Sequence, residues 1–168
     1  MSHVLLLDSN VWSHLVLGDL PMRKKVAAQL AALRLKYPGA IMATSGICVA
    51  ECLVAVRRLP DAAEAVQFEA LFQAQFAAPG VVIVAVSAQV LDRAASLRAN
   101  RLKLAALRGS QSASSNGGKL PLPDAIIAAS CLDFNPPAIL VTENDADFLY
   151  VEDGVKKTVA ALVIERVG

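Results

Sequence analysis

Two carboxylates of this chain lie in surroundings that charged groups normally avoid. Asp8 directly follows the apolar run Val4–Leu7, and Glu51 is the only charged residue in the apolar segment 47–56. A carboxylate in such surroundings is costly to bury unless it is paired, protonated or bound to a cation. Each residue also has a structural explanation, because Asp8 suits a helix N-cap and Glu51 can pair with a nearby arginine.

Further acidic groups follow a similar pattern later in the chain. Asp124 precedes the apolar stretch 125–129, although it too suits a helix N-cap, and the polar turn Asn144–Asp147 follows another short apolar run. Several carboxylates in one cavity repel each other, and a hard divalent cation with oxygen ligands removes that repulsion. Taken together, the acidic positions predict a pocket for a cation such as Mg²⁺.

The elements that must position these groups alternate along the chain. Short apolar runs predict strands, and the longer stretches between them predict helices. Helices that separate consecutive strands indicate a mainly parallel sheet, so we expect a single three-layer α/β domain over residues 1–168. Ligands bind at the carboxyl ends of such strands, which is where Asp8 and the turn after the fourth strand fall. The predicted strands are 4–7, 40–43, 81–86, 138–141 and 159–164, and the predicted helices are 11–17, 21–36, 47–58, 62–76, 88–107 and 124–134.

The composition excludes several classes of protein. Hydrophobic residues make up 55% of the 168 residues and charged residues 18%, which predicts a well-buried core and excludes a disordered tail. The sequence has no apolar run near the roughly 18 residues that span a bilayer and no secretory signal pattern, so we expect a cytoplasmic protein without a membrane segment. The net charge of +1 neither indicates nor excludes nucleic acid as a partner.

Other catalytic chemistries find little support. The two His and three Cys have no recognisable zinc-ligand spacing, so we expect the cysteines to be small buried apolar residues. The sequence has neither a Gly-rich phosphate-binding loop nor a Gly-x-Ser-x-Gly nucleophile turn. The stretch Gly109–Gly118, rich in Ser, Gly and Asn, predicts a mobile loop.

The segments around the acids resemble PIN-domain nucleases, specifically the VapC-like toxins of bacterial and archaeal toxin–antitoxin pairs. The chain is longer than the usual VapC-like toxin, with the extra length before Val81 and in the predicted loop. The matching segments occur in the family's order over almost the whole chain, and they are Leu5–Asn10, Thr44–Ser45 followed by Val49–Glu51, Pro123–Ala129, and Val141–Asn144 leading to Asp147–Phe148.

The resemblance implies a PIN-like fold and a Mg²⁺- or Mn²⁺-dependent endoribonuclease whose acids face one pocket. Asp8 and Asp124 match the main metal-ligand positions and Glu51 the second acid, whereas the fourth acid is left open between Asp147 and Asp145. The implied catalytic set is Asp8, Glu51, Asp124 and Asp147, the implied metal ligands are Asp8, Asp124, Glu51 and Asp145, and the implied polar residues lining the pocket are Asn10, Ser45, Thr142 and Asn144.

Substrate binding requires positive charge near this pocket. Arg98, Arg101 and Arg108 fall roughly on one side of the long predicted helix and lead towards Lys119. Such a stripe can contact RNA phosphates, although an ordinary solvated helix face explains it equally well.

The resemblance also implies partners, namely RNA as the substrate, an inhibitory antitoxin and a second copy in a homodimer. Two alternatives keep the same fold: a PIN-type nuclease of RNA processing or turnover outside a toxin pair, and a catalytically inactive PIN-like binding module. A haloacid-dehalogenase-type phosphatase with Asp8 as its nucleophile is less well supported, because its second Asp would fall at Asn10.

Overall fold

The chain alternates strands and helices in a computed structural model that describes residues 3–99, 120–152 and 155–168. The strands are β1 (Val4–Leu7), β2 (Ile41–Ser45), β3 (Val81–Val84), β4 (Ile139–Thr142), β5 (Leu149–Glu152), β6 (Val155–Thr158) and β7 (Ile164–Arg166). The α-helices are α1 (Ser9–Val16), α2 (Leu20–Lys36), α3 (Gly46–Arg57), α4 (Ala62–Phe76), α5 (Ala88–Ala99) and α6 (Leu122–Leu132). Within these ranges no helix is both long and apolar enough to cross a lipid bilayer.

Five strands form a parallel central sheet in the order β3-β2-β1-β4-β7. β1 is the middle strand, so Leu6 pairs with Ala43 of β2 on one side and with Leu140 of β4 on the other. Parallel neighbours need crossover connections, and the helices supply them. The predicted α/β class with a mainly parallel sheet is therefore confirmed.

The side chains of β1 divide the core between the two faces of the sheet, as the alternation of a strand requires. Leu5 and Leu7 pack into one cluster with Trp12 of α1 and Phe72 of α4. Leu6 faces the opposite way and packs with residues of α3 and α6. All three leucines are completely buried, which explains the uninterrupted apolar run that marks this strand.

Carboxylates at the N-termini define where three of the helices begin. Asp8 accepts a hydrogen bond from the first backbone N–H of α1, and Asp19 accepts one from Met22 of α2 at 2.9 Å. Asp61 accepts from the N–H groups of Ala63 and Glu64, and α4 has the bounds that this cap predicts.

Several element boundaries differ from the sequence-based expectation. α6 begins two residues before Asp124, because Pro123 fits the first turn of a helix, where its missing N–H is not needed. The segment predicted as strand 159–164 is instead a short 3₁₀ turn followed by β7, and the hairpin of β5 and β6 was not predicted. The end of the predicted helix 88–107 and the predicted loop Gly109–Gly118 lie outside the described residues.

The buried middle strand predicts a large mutational effect. Leu6→Ala should lower the free energy of unfolding by about 2–5 kcal/mol, because it leaves a cavity between the sheet and α6. Leu35→Ala, at a side chain that is 82% exposed, should change it by less than about 0.5 kcal/mol. Urea unfolding of both variants measures the difference, and equal effects would contradict this assignment of the core.

Candidate functional site

The predicted site residues come from four elements that meet at the carboxyl end of the sheet. Asp8 follows β1 directly, and Thr142 is the last residue of β4, the neighbouring parallel strand. Glu51 lies in the second turn of α3, which begins where β2 ends. Asp124 lies in the first turn of α6, a helix whose far end leads back to the start of β4.

Asp8 is only 5% exposed, and several hydrogen bonds hold its carboxylate in place. Its Oδ1 accepts from the backbone N–H of Ser9 at 2.6 Å. Its Oδ2 accepts from the Thr142 hydroxyl at 2.7 Å and from the Asn10 amide at 3.0 Å. The carboxylate is therefore fixed by the start of its own helix and by the adjacent strand.

Asn10 and Thr142 connect the ends of β1 and β4. The Asn10 amide donates to the Thr142 hydroxyl at 3.1 Å as well as to Asp8, and the Asn10 carbonyl accepts from the backbone N–H of Glu143 at 3.2 Å. Thr142 also accepts from the backbone N–H of Asn144 at 3.1 Å. The structure thus brings the predicted polar residues Asn10, Thr142 and Asn144 into one network with Asp8.

Three potential metal-binding side chains converge beside this network. Donor atoms of Asp8, Cys48 and Glu51 all lie within 4.8 Å of one another. Cys48 is completely buried and lies one helical turn before Glu51 on α3. The two acids are among the site residues predicted from the sequence, whereas Cys48 is not, although its spacing of three residues from Glu51 puts both on one face of the helix.

The electrostatics of the group oppose ionisation. Burial raises the pKa of Asp8, the hydrogen bonds from Thr142 and Ser9 oppose this shift, and the nearby charge of Asp147 adds to it. Burial also raises the pKa of Glu51, where a hydrogen bond from Ser9 opposes the shift and the charge of Asp8 adds to it. Burial raises the pKa of the Cys48 thiol well above its ordinary value. A divalent cation beside these groups would stabilise their ionised forms.

The turn after β4 contains the two candidates for the fourth acid, and the structure places them differently. Asp147 accepts a hydrogen bond from the Asn144 side chain, and its charge acts on Asp8. Asp145 instead lies 3.8 Å from the guanidinium of Arg166 on β7. The charge of Asp147 therefore acts on Asp8 whereas Asp145 lies beside Arg166, and the identity of the fourth acid stays a prediction.

Two further predicted residues lie outside this close group. Asp124 is half-buried in the first turn of α6 and is not among the donors within 4.8 Å. Ser45 is completely buried, and its hydroxyl is 3.0 Å from that of Ser130, which in turn donates to the Ile126 carbonyl. Ser45 thus connects β2 to α6, a role that the sequence did not indicate.

The predicted basic stripe is only partly within the described ranges. Arg98 is half-buried near the end of α5, and its Nε has no hydrogen-bond partner among the described residues. Arg101, Arg108 and Lys119 lie outside those ranges. The stripe therefore stays a prediction.

An apolar cavity of about 400 Å³ runs along one side of α3. It is lined by Ile47, Ala50, Val54 and Ala55, with Glu51 and Arg58 as its charged residues. Glu51 is half-buried. It lines this cavity, and its carboxylate also lies within 4.8 Å of that of Asp8.

Comparison with known proteins identifies similarity at two levels. A family model described as PIN domain matches residues 5–153. The fold resembles the structure of VapBC2 from Rickettsia felis bound to a DNA fragment from its promoter, with a TM-score of 0.62 and 17% identity over 98% of this chain and 99% of that chain. No curated protein sequence matches the chain.

Two further solved structures show the same fold. The DNA-bound VapBC from Salmonella typhimurium has a TM-score of 0.64 and 14% identity over 99% of this chain and 98% of that chain. VapC20 from Mycobacterium tuberculosis, described as a Sarcin-Ricin loop cleaving toxin, has a TM-score of 0.53 and 18% identity over 81% of this chain and 86% of that chain.

The raised pKa of Glu51 predicts how stability depends on pH in the absence of a cation. The folded protein binds this proton more tightly than the unfolded chain, so the free energy of unfolding falls as pH rises from the ordinary carboxyl pKa through the raised one. Glu51→Gln should remove this part of the decline and be the more stable protein at neutral pH. Urea unfolding with a chelator at pH values from about 4 to 7 tests it.

Glu69→Gln is the matched control with the opposite sign. Arg57 lowers the pKa of Glu69 through hydrogen bonds of 2.7 and 3.2 Å, so this variant should lose stability above the ordinary carboxyl pKa. A Glu51→Gln variant whose stability has the pH slope of the wild type would show that Glu51 is not desolvated.

Proposed function

The chain belongs to the PIN domain family, and from this premise we propose that it is an endoribonuclease that hydrolyses RNA phosphodiester bonds with the help of Mg²⁺ or Mn²⁺. The observation that carries the proposal is the buried carboxylate of Asp8 at the end of the middle strand, next to a second acid, Glu51. Such a pair is unfavourable when both are ionised without a cation, and PIN nucleases generally use a divalent metal.

The donor set suits a hard divalent cation. Asp8 and Glu51 offer carboxylate oxygens, and Asp147 and Asp124 come from neighbouring elements at the same end of the sheet. Mg²⁺ prefers such oxygen ligands, with water and substrate phosphate oxygens completing its coordination. When bound, the cation supplies a Lewis acid for the phosphodiester and makes a nucleophile available from water at neutral pH.

The protein's own part in the reaction is to hold its acids in place. The Ser9 N–H, the Thr142 hydroxyl and the Asn10 amide all donate to Asp8, so both of its oxygens are oriented before substrate arrives. Thr142 and Asn10 are positioning residues in this scheme, because they act through Asp8. We expect the basic stripe that begins at Arg98 to contact the RNA backbone away from the acids.

We further propose that the protein is the toxin of a toxin–antitoxin pair. Similar structures are described as VapBC complexes, and in two of them this chain covers at least 98% of the matched chain. An antitoxin partner, a homodimer and a cytoplasmic location accompany this proposal as predictions. A PIN nuclease of RNA turnover with no antitoxin would have the same site, so a cellular experiment must separate the two.

Removing either main acid should abolish cleavage. Asp8→Asn and Asp124→Asn should each lower the Mg²⁺-dependent rate of RNA cleavage by at least about 100-fold, because the cation loses a charged ligand. The assay uses a labelled RNA, a DNA of the same sequence and a chelator control. We expect the RNA to be cut and the DNA to stay intact, and we expect no cleavage in the presence of the chelator.

The matched control is Glu64→Gln, because Glu64 is exposed in the first turn of α4. This variant should cut RNA at the wild-type rate. Thermal unfolding shows that each variant is folded. An Asp8→Asn protein that is folded and as active as the wild type would refute the site assignment.

Induced expression tests the toxin proposal. The wild type should arrest growth and create new RNA 5′ ends, whereas Asp8→Asn should do neither. Co-expression of a neighbouring gene that encodes the antitoxin should restore growth. New 5′ ends without growth arrest would favour a nuclease of RNA processing or turnover.

A further inference from the structure

A cysteine thiol takes part in the carboxylate group, and this changes which cations the pocket should accept. Cys48 Sγ lies within 4.8 Å of carboxylate oxygens of both Asp8 and Glu51. Its side chain is completely buried. Oxygen ligands alone favour Mg²⁺ or Mn²⁺, whereas one added sulfur favours softer transition cations.

We propose that Asp8, Cys48 and Glu51 together form a binding site for a thiophilic divalent cation of the Zn²⁺ or Co²⁺ class, which competes with Mg²⁺ for the same pocket. The inference rests on the proposed function, in so far as the two carboxylates are those that would hold the catalytic cation. A thiophilic cation in this position excludes Mg²⁺ and therefore inhibits the nuclease.

The number of donors fits such a cation without any histidine. Zinc sites with three protein ligands and one open position are a common type, and carboxylate and thiolate are both among the ligands used. A tetrahedral cation with bonds of ordinary length places oxygen and sulfur donors about 3.4–3.6 Å apart. The present separations, each at most 4.8 Å, exceed that range by no more than about 1.2–1.4 Å, and side-chain movement within the group, including that of the half-buried Glu51, closes the difference.

Coordination involves a simple exchange at sulfur. As the bond from Sγ to the cation forms, the thiol releases its proton to solvent, and no oxidant or reductant is needed. The resulting thiolate and the two carboxylates are three negative charges around one divalent cation. Mg²⁺ gains little from sulfur, so it is expected to use only the oxygens and leave the thiol protonated.

The other two cysteines provide an internal comparison. Cys52 is also buried on α3, but its thiol contacts the backbone carbonyl of Ser9 at 3.7 Å. Cys131 is buried on α6. Neither belongs to the group of donors within 4.8 Å, so of the three buried thiols only that of Cys48 has both carboxylates within this distance.

Titration of the metal-free protein with Co²⁺ tests the site without any activity measurement. A thiolate bound to Co²⁺ produces a sulfur-to-metal charge-transfer absorption, which oxygen ligands do not. The wild type, Cys52→Ala and Cys131→Ala should show this band with saturation at one cation per chain. Cys48→Ala and Cys48→Ser should lack it, and their affinity for Zn²⁺, measured by competition with Co²⁺ or a chelating dye, should fall on the order of 100-fold.

The second Cys48 variant guards against a loss of folding in the first, and thermal unfolding checks both. A band that persists in folded Cys48→Ala, or a wild type that binds Co²⁺ without the band, would overturn the proposal. Cleavage of RNA by the wild type with Mg²⁺ is measured in parallel. If the wild type cleaves RNA but shows no charge-transfer band, only the thiophilic cation site is refuted. If the band appears but RNA is not cleaved, the cation site is supported and the proposed nuclease activity is refuted.

Discussion

The burial of one carboxylate at the end of the middle strand is the constraint on which the site depends. β1 is flanked by strands on both sides, so the residue that follows it is enclosed by their ends and by the helices above them. Asp8 therefore loses most of its hydration. Hydrogen bonds from Ser9, Asn10 and Thr142 replace part of it, yet burial still dominates and raises the pKa of the group.

This arrangement lowers the folding stability of the cation-free protein and at the same time prepares the pocket to bind a cation. A second acid, Glu51, lies close enough that the charge of Asp8 helps to raise its pKa, and both carboxylates are only partly solvated. Neither feature improves the folding free energy of the cation-free protein, and active sites commonly carry such a cost. The same features make the pocket attractive to a divalent cation, because the cation compensates for the lost hydration and the mutual repulsion.

The identity of the donors then decides which cation is favoured. Carboxylates select hard cations, and a thiol beside them widens the choice to softer ones. Cys48 belongs to the apolar face of α3 by its burial and to the acidic group by its distance from Asp8 and Glu51. A side chain that packs as a hydrophobe can therefore also influence the chemistry of the site.

Several features of the fold and of the site could be predicted because their signals are local. The apolar run of β1, the cap of α4 by Asp61 and the isolated charge of Glu51 are each visible within a few residues. The hairpin of β5 and β6 could not be predicted, because strands of four residues each are too short to show a periodicity and are recognised by their pairing.

The sequence by itself determined the order of the elements, the buried strand that ends at Asp8 and the types of residue available for chemistry, because these depend on neighbours along the chain. The tertiary structure decided which side chains meet. Only the packing of α3 against the end of β1 brings Cys48 beside Asp8, and only the tertiary structure places Asp145 beside Arg166 and lets the charge of Asp147 act on Asp8. Distances between residues far apart in the chain are set by packing, and packing leaves no local mark in the sequence.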